Sequence, residues 1–254
     1  MSPLLEVRQV SKVFGGLKAL EGISLEVGDG EIFGLIGPNG AGKTTLFNLI
    51  SGALSLSAGT VLFRGREISR LPDYRICQLG IARTYQNIRL FGRMTVLENV
   101  LVGQHGRTRS GLWSMFLRLP SERAENARAR QAAEEWLDFF HLSAKKGEKA
   151  SSLAYGEERR LEIARALATE PALLLLDEPS AGMNPQEVRE LNELILQIRN
   201  QGKTIFLIEH NMRVIMDICD RIAVLDFGQK IAQGIPAEVR ADSRVIEAYL
   251  GKEA

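Results

Sequence analysis

The 254-residue sequence is 45% hydrophobic and 25% charged, which is ordinary globular usage and enough chain to bury a core as one large domain or as a core with a subdomain. Lysine and arginine total 32 against 31 acidic residues, so charge gives no footprint of a nucleic-acid partner. Cys77 and Cys219 match no metal or redox spacing and predict free thiols in a reducing compartment. The N-terminus lacks the apolar core of a signal peptide. The uncharged run from Thr44 to Phe63 is too interrupted by Ser, Thr, Asn and Gly to span a membrane, so any membrane role is expected to be peripheral.

In chain order, "LLEVRQVSKVF" and "GISLEV" alternate with strand period, and "GDGE" reads as a turn. "EIFGLI" has the composition of a buried parallel strand. "KTTLFNLISGAL" carries Leu46, Leu49 and Ile50 at helical spacing, and "GTVLFRGREI" reads as a strand pair. From about Pro72 to Leu167 the character is helical and charged, most clearly in "SERAENARARQAAEEWLDFFHL". "ALLLL" and "TIFLI" return to buried-strand composition around the helical "PQEVRELNELILQIRNQG". "DRIAVLDFGQKIAQG" predicts a hairpin and "SRVIEAYLG" a closing helix. Strands alternating with helices predict an α/β fold, a parallel core with an inserted helical region.

Between the third strand and its helix lies "GPNGAGKTT": Gly37, Pro38, Asn39, Gly40, Ala41, Gly42, Lys43, Thr44 and Thr45. Gly37, Gly42, Lys43 and Thr44 fill the pattern G-x-x-x-x-G-K-[ST]. Glycines allow a tight wrap in which successive N–H groups point at phosphate oxygens, and the following helix adds the positive end of its dipole. Lys43 would reach the β- and γ-phosphates, and the Thr44 hydroxyl would ligate Mg²⁺. Asp177 and Glu178 follow four leucines, at the strand edge where ligands of parallel sheets bind. Asp177 is placed to hold Mg²⁺ through water and Glu178 to polarise an attacking water, so phosphoryl transfer from ATP is the leading chemistry.

Further stretches follow in order: "RTYQN" with Gln86, "LAYGEERRLEIARAL", "LLLLDEPSAGMNP" and "LIEHN" with His210. Singly, Gln86 could be a surface loop residue, His210 a satisfied polar residue at a strand end, and Phe14 a core aromatic. Together they resemble the ATP-binding subunit of an ABC transporter over nearly the whole chain. The resemblance implies a P-loop NTPase core with a mostly parallel sheet, an N-terminal antiparallel β region and an inserted helical subdomain. It implies one domain over 1–254, with a nucleotide-binding core at 1–85 and 168–235, a helical subdomain at 86–167 and a C-terminal helix at 236–254. Phe14 resembles the aromatic that stacks on adenine. Gln86 resembles the glutamine that senses Mg²⁺ and meets the membrane partner, and His210 the switch histidine on the γ-phosphate. Leu153, Ala154, Tyr155, Gly156 and Glu157 resemble the signature stretch that binds the γ-phosphate of ATP held by a facing subunit. Ala154 stands where the family usually has serine, and Asn184 where it often has aspartate.

"RTYQNIRLFGRMTVLENVLVGQH", the Ala-Tyr-Gly signature and "VIEAYLG" are similar to the branched-chain amino-acid importer subgroup. That similarity implies a second ATP-binding subunit, two transmembrane permeases and, indirectly, an external solute-binding protein. It places the chain peripherally on the cytoplasmic face of the plasma membrane. The alternative within transporters is an ATPase of lipopolysaccharide export. "IRLFGRM" and "GQHGRTRSGLWSMFLRL", with Arg89, Arg93, His105, Arg107, Arg109, Trp113 and Phe116, read either as a solvated helix with an apolar core side or as a groove for a permease helix. One ATP module without a sustained heptad insertion argues against a translation factor or a DNA-repair ATPase, and no nucleic-acid partner is expected.

Overall fold

A computed structural model describes residues 3–104 and 120–250, without the side chains of 120–126 and 250. The strands are β1 (Leu5–Phe14), β2 (Leu17–Val27), β3 (Ile32–Ile36), β4 (Ala58–Phe63), β5 (Arg66–Glu67), β6 (Ile81–Arg83), β7 (Leu173–Asp177), β8 (Thr204–Ile208), β9 (Arg221–Asp226) and β10 (Gln229–Gly234). The helices are α1 (Lys43–Ile50), α2 (Asp73–Leu79), α3 (Val96–Gln104), α4 (Pro120–Phe139), α5 (Tyr155–Leu167), α6 (Pro185–Asn200), α7 (Met212–Ile218), α8 (Pro236–Ala241) and α9 (Ser243–Leu250). They group into two compact units, one of Met1–Gln86 with Ala172–Ala254 and one of Asn87–Pro171.

The first unit holds an antiparallel sheet of order β2-β1-β4-β5 and a mainly parallel sheet of order β10-β9-β3-β8-β7-β6, in which only β10 runs antiparallel to its neighbour. Strands β3, β7 and β8 are buried along their whole length, as their unbroken apolar runs require. Phe206 packs edge-on against Phe33 and Phe47, with ring centroids 5.2 and 4.9 Å apart, tying α1 to the sheet. On α6, the buried Leu191, Leu194, Ile195 and Ile198 recur at one-face helical spacing.

The predicted hairpins, the buried strands and the long charged helix are present. The three-residue β6 falls in the stretch expected to be helical. It starts after Gly80, whose φ of 107° ends α2, and it pairs with β7 at Leu173–Leu175. So short a strand has no period of its own to read. The C-terminal region 236–254 was expected as one helix. Its described part is two helices, because Asp242 is extended and its carboxylate accepts the Arg244 N–H at 2.9 Å, starting a new helix. His105, Arg107, Arg109, Trp113 and Phe116 lie outside the described residues.

In the second unit α3, α4 and α5 share a core that includes Val100, Leu137, Phe140, Leu161 and Leu167. Gly103 is needed there, since a Cβ would collide with the Arg165 carbonyl. Within α5 the buried Arg159 donates to the buried Glu162 at 2.9 Å, and the other Glu162 oxygen accepts the Arg89 N–H at 3.2 Å.

Candidate nucleotide-binding site

The phosphate-loop sequence forms a backbone cradle between β3 and α1. Gly37 (φ 149°) and Gly42 (φ 101°) hold positive φ, and a Cβ would strike the Leu225 carbonyl at the first and the Leu20 side chain at the second. Gly42 caps α1, and its carbonyl accepts the Leu46 N–H at 2.9 Å, so the helix N-terminus opens directly onto the loop. Lys43 is buried and donates from Nζ to the Gly37 and Pro38 carbonyls, at 2.7 and 3.0 Å. That folds the ammonium over the cradle, where a phosphate could take the carbonyls' place.

A cleft of about 390 Å³ opens over this loop, within the size range of small-ligand sites. Asn39 to Thr45 line its floor, Gln86 and Glu178 one part of its wall, and Leu17, Lys18, Ala19, Phe227 and Gly228 the rest. Glu178 follows β7 with φ at 47°, uncommon for a non-glycine residue, and its N–H is tied to the Ile208 carbonyl at 2.9 Å. Gln86 Nε2 donates to Glu178 Oε2 at 2.9 Å, and His210 Nδ1 lies 3.7 Å from the same oxygen. The carboxylate is therefore aimed by an amide from the end of β6 and flanked by an imidazole from the end of β8. Such a group can accept a proton from, or orient, a water at a phosphoryl centre.

Asp177, 1% exposed, sits one residue earlier and is not itself a wall of the cleft. Arg83 Nη2 donates to its Oδ2 at 3.0 Å, and Arg83 Nη1 donates to Asn48 Oδ1 on α1 and to Ser51 Oγ at the α1 C-cap, at 2.7 and 3.0 Å. Among the described residues no three or more His, Cys, Asp or Glu side chains are grouped to hold a metal. The donors at hand are the Thr44 hydroxyl, the Gln86 amide and the nearby Asp177 carboxylate. That sparse oxygen set fits Mg²⁺, which keeps waters and takes phosphate oxygens.

Phe14 is 45% exposed, so the core reading of it fails. It pairs across the β1–β2 hairpin with Leu17, and the Lys12 ammonium lies 4.9 Å from its ring centroid. The signature stretch belongs to the second unit, where Ala154 and Tyr155 are exposed and Gly156 and Leu153 buried at the start of α5. Glu157 accepts the Ala154 N–H at 3.0 Å and pairs with Lys145 at 2.8 Å. The Lys145 bond, helped by that N–H and opposed by partial burial, holds the Glu157 carboxyl below the ordinary carboxylate range. Asn184 caps α6 by accepting from the Gln186 and Glu187 N–H groups, at 2.9 and 3.1 Å. Asparagine thus does the capping that aspartate would do there.

Sequence reasoning missed Arg83, Glu209, Leu17 and Phe227. The fully buried Glu209 accepts the Ser180 N–H at 2.9 Å and anchors the loop after Glu178. Its place beside His210 was the one signal available. Tyr249 on α9 has its phenol pushed up by burial.

Residues 20–181 match the family model of the ABC transporter, and residues 229–254 match that of the branched-chain amino acid ATP-binding cassette transporter. The chain is 47% identical to the high-affinity branched-chain amino acid transport ATP-binding protein LivG of Salmonella typhimurium, over 98% of both chains. It is 35% identical to the lipopolysaccharide export system ATP-binding protein LptB of Haemophilus influenzae, again over 98% of both. The crystal structure of the ADP conformation of MJ1267, an ATP-binding cassette of an ABC transporter, superposes with a TM-score of 0.85 at 34% identity, covering 99% of this chain and 100% of that one. Cradle, carboxylate and matched length agree: the chain belongs to the ABC transporter family, as a LivG-like ATP-binding subunit.

Proposed function

We propose that this chain is the ATP-hydrolysing motor of an importer for branched-chain or related amino acids. The observation that carries the reading is a carboxylate, Glu178, aimed by Gln86 within the same cleft as Lys43 and Thr44. The Gly40–Thr45 amides and the α1 N-terminus hold the phosphates, and Lys43 turns from the loop carbonyls to the β- and γ-oxygens. Thr44 and Gln86 would hold Mg²⁺ directly and Asp177 would hold it through water. When bound, the ion supplies charge neutralisation at the phosphates. Glu178 orients the attacking water, His210 steadies the γ-phosphate, and Phe14 borders the base. Ala154 to Glu157 of one subunit would close on ATP held by another.

The assembly would contain a second ATP-binding subunit and two permeases, with an external solute-binding protein acting through them. This chain would sit peripherally at the cytoplasmic membrane face. Among its described residues no helix is long and apolar enough to cross a membrane. Import is favoured over lipopolysaccharide export by the C-terminal family match and by the higher identity to LivG.

The test is to copurify the chain with its membrane subunits, reconstitute the assembly in liposomes and measure ATP-driven leucine uptake. Uptake should be present in wild type and absent with Lys43→Ala, whose ATP affinity should fall at least tenfold through loss of a charged hydrogen-bond donor. ATPase activity stimulated by lipopolysaccharide and indifferent to amino acids would overturn the substrate assignment.

A further inference from the structure

Phe227 is 78% exposed and Leu17 is 72% exposed, yet both line the cleft over the phosphate loop. Phe227 and Gly228 form the two-residue loop joining β9 to β10, with φ of 42° and 77°. Two positive φ values mark the turn type that asks for Asn-Gly or Asp-Gly, and a bulky aromatic in its first place is strained. Nothing in the turn calls for phenylalanine. The strain is held in place by neighbours: the Gly228 N–H donates to the Ala41 carbonyl at 3.1 Å, and the Gly228 carbonyl accepts the Glu21 N–H at 2.8 Å. The hairpin tip is thereby pinned between the phosphate loop and β2.

Sheet order fixes which end of the cleft this is. The phosphate loop leaves β3; β9 neighbours β3 on one side, while β8, β7 and β6 follow on the other. Gln86 and Glu178, at the ends of β6 and β7, mark the side where a terminal phosphate meets its water. A triphosphate with its γ-phosphate there runs its nucleoside toward β9, where the two large apolar lining side chains stand. An apolar wall is the surface a flat base takes and a phosphate does not.

We propose that Phe227 is a nucleobase-contacting residue, forming with Leu17 the wall against which the purine of ATP packs. The proposal rests on reading the cleft as an ATP site and adds a base-contacting side chain from the β9–β10 turn. Leu17 pairs with Phe14 in the β1–β2 hairpin, so the base would lie between that hairpin and Phe227.

The test uses equilibrium binding to the full-length chain, with ATP and inorganic tripolyphosphate as probes. Phe227→Asn removes the ring while supplying a residue the turn prefers, so folding is favoured rather than endangered. ATP affinity should weaken by roughly five- to a hundredfold, the range of losing one aromatic from a base stack. Tripolyphosphate affinity should not move, and Phe227→Trp should restore ATP binding. Equal ATP affinity in Phe227→Asn and wild type overturns the proposal, as does an equal loss for both probes. If wild type binds tripolyphosphate but not ATP in preference to it, the base subsite fails while the phosphate site stands. If wild type binds neither, the ATP-site reading fails and this proposal with it.

Discussion

Glu178 combines a left-handed backbone with a carboxylate that accepts from Gln86. A non-glycine residue at φ 47° costs about 1–3 kcal/mol unless its surroundings enforce it. Here the Ile208 carbonyl and the Glu209-anchored loop do so. The strain aims the side chain into the cleft, whereas Asp177, one residue earlier, stays in the strand and turns to Arg83. Two adjacent acids therefore face different partners, which would let the proposed water-orienting and ion-holding roles be divided between them. Glu178→Gln should lower ATP turnover by roughly a hundred- to ten-thousandfold, as for loss of a general base, while ATP still binds. Single-turnover hydrolysis and equilibrium binding, measured on the same preparation, separate the two effects. Loss of binding with the amide in place would assign Glu178 to the metal instead.

At the scale of elements, what the sequence disclosed follows from how local each signal is. The phosphate loop and its flanks are contiguous, so residues 32–50 carry strand, cradle and helix within one window. The leucine run of β7 and the apolar β8 announce burial on both faces by composition alone. Arg83 was not readable, because its partner Asp177 is 94 residues away and its strand has three residues. Phe227 was hidden for the opposite reason: its turn was legible as a hairpin, but a turn signal does not say what its side chain faces. Arg159 and Glu162 stand three residues apart in a charged stretch that gives no local sign of burial, yet both side chains are buried. Arg159→Leu should therefore destabilise the chain by about 3–5 kcal/mol, since it removes a charged partner of the buried Glu162 carboxylate. Arg159→Leu with Glu162→Leu should recover much of that loss. Denaturant titration of the four-member cycle checks both signs, and additive losses would show that the two residues do not act as a pair.

For the molecule as a working assembly, the altered signature gives a test in which stability and function move in opposite directions. Ala154 occupies the N-cap of α5, and Glu157 already reaches back to its N–H, so half of a capping box exists and the side chain that would complete it is missing. Either serine or aspartate at 154 supplies the missing acceptor, and each should raise stability by about 0.5–2 kcal/mol. Their effects on pairing differ, because in the proposed sandwich the α5 N-terminus receives the γ-phosphate of ATP held by another subunit. Serine adds a neutral donor there and is compatible with that contact. Aspartate adds a negative charge facing the phosphate, and the like charges oppose closure in a site that excludes water. With Glu178→Gln in the background to slow hydrolysis, Ala154→Ser should still associate on adding ATP, whereas Ala154→Asp should stay apart while binding ATP in its own cradle. Thermal unfolding, ATP binding and ATP-dependent sedimentation of the same three proteins read these expectations separately. An aspartate variant that associates as readily as its parent would show that α5 does not face a nucleotide across the pair, and the sandwich would be the wrong assembly.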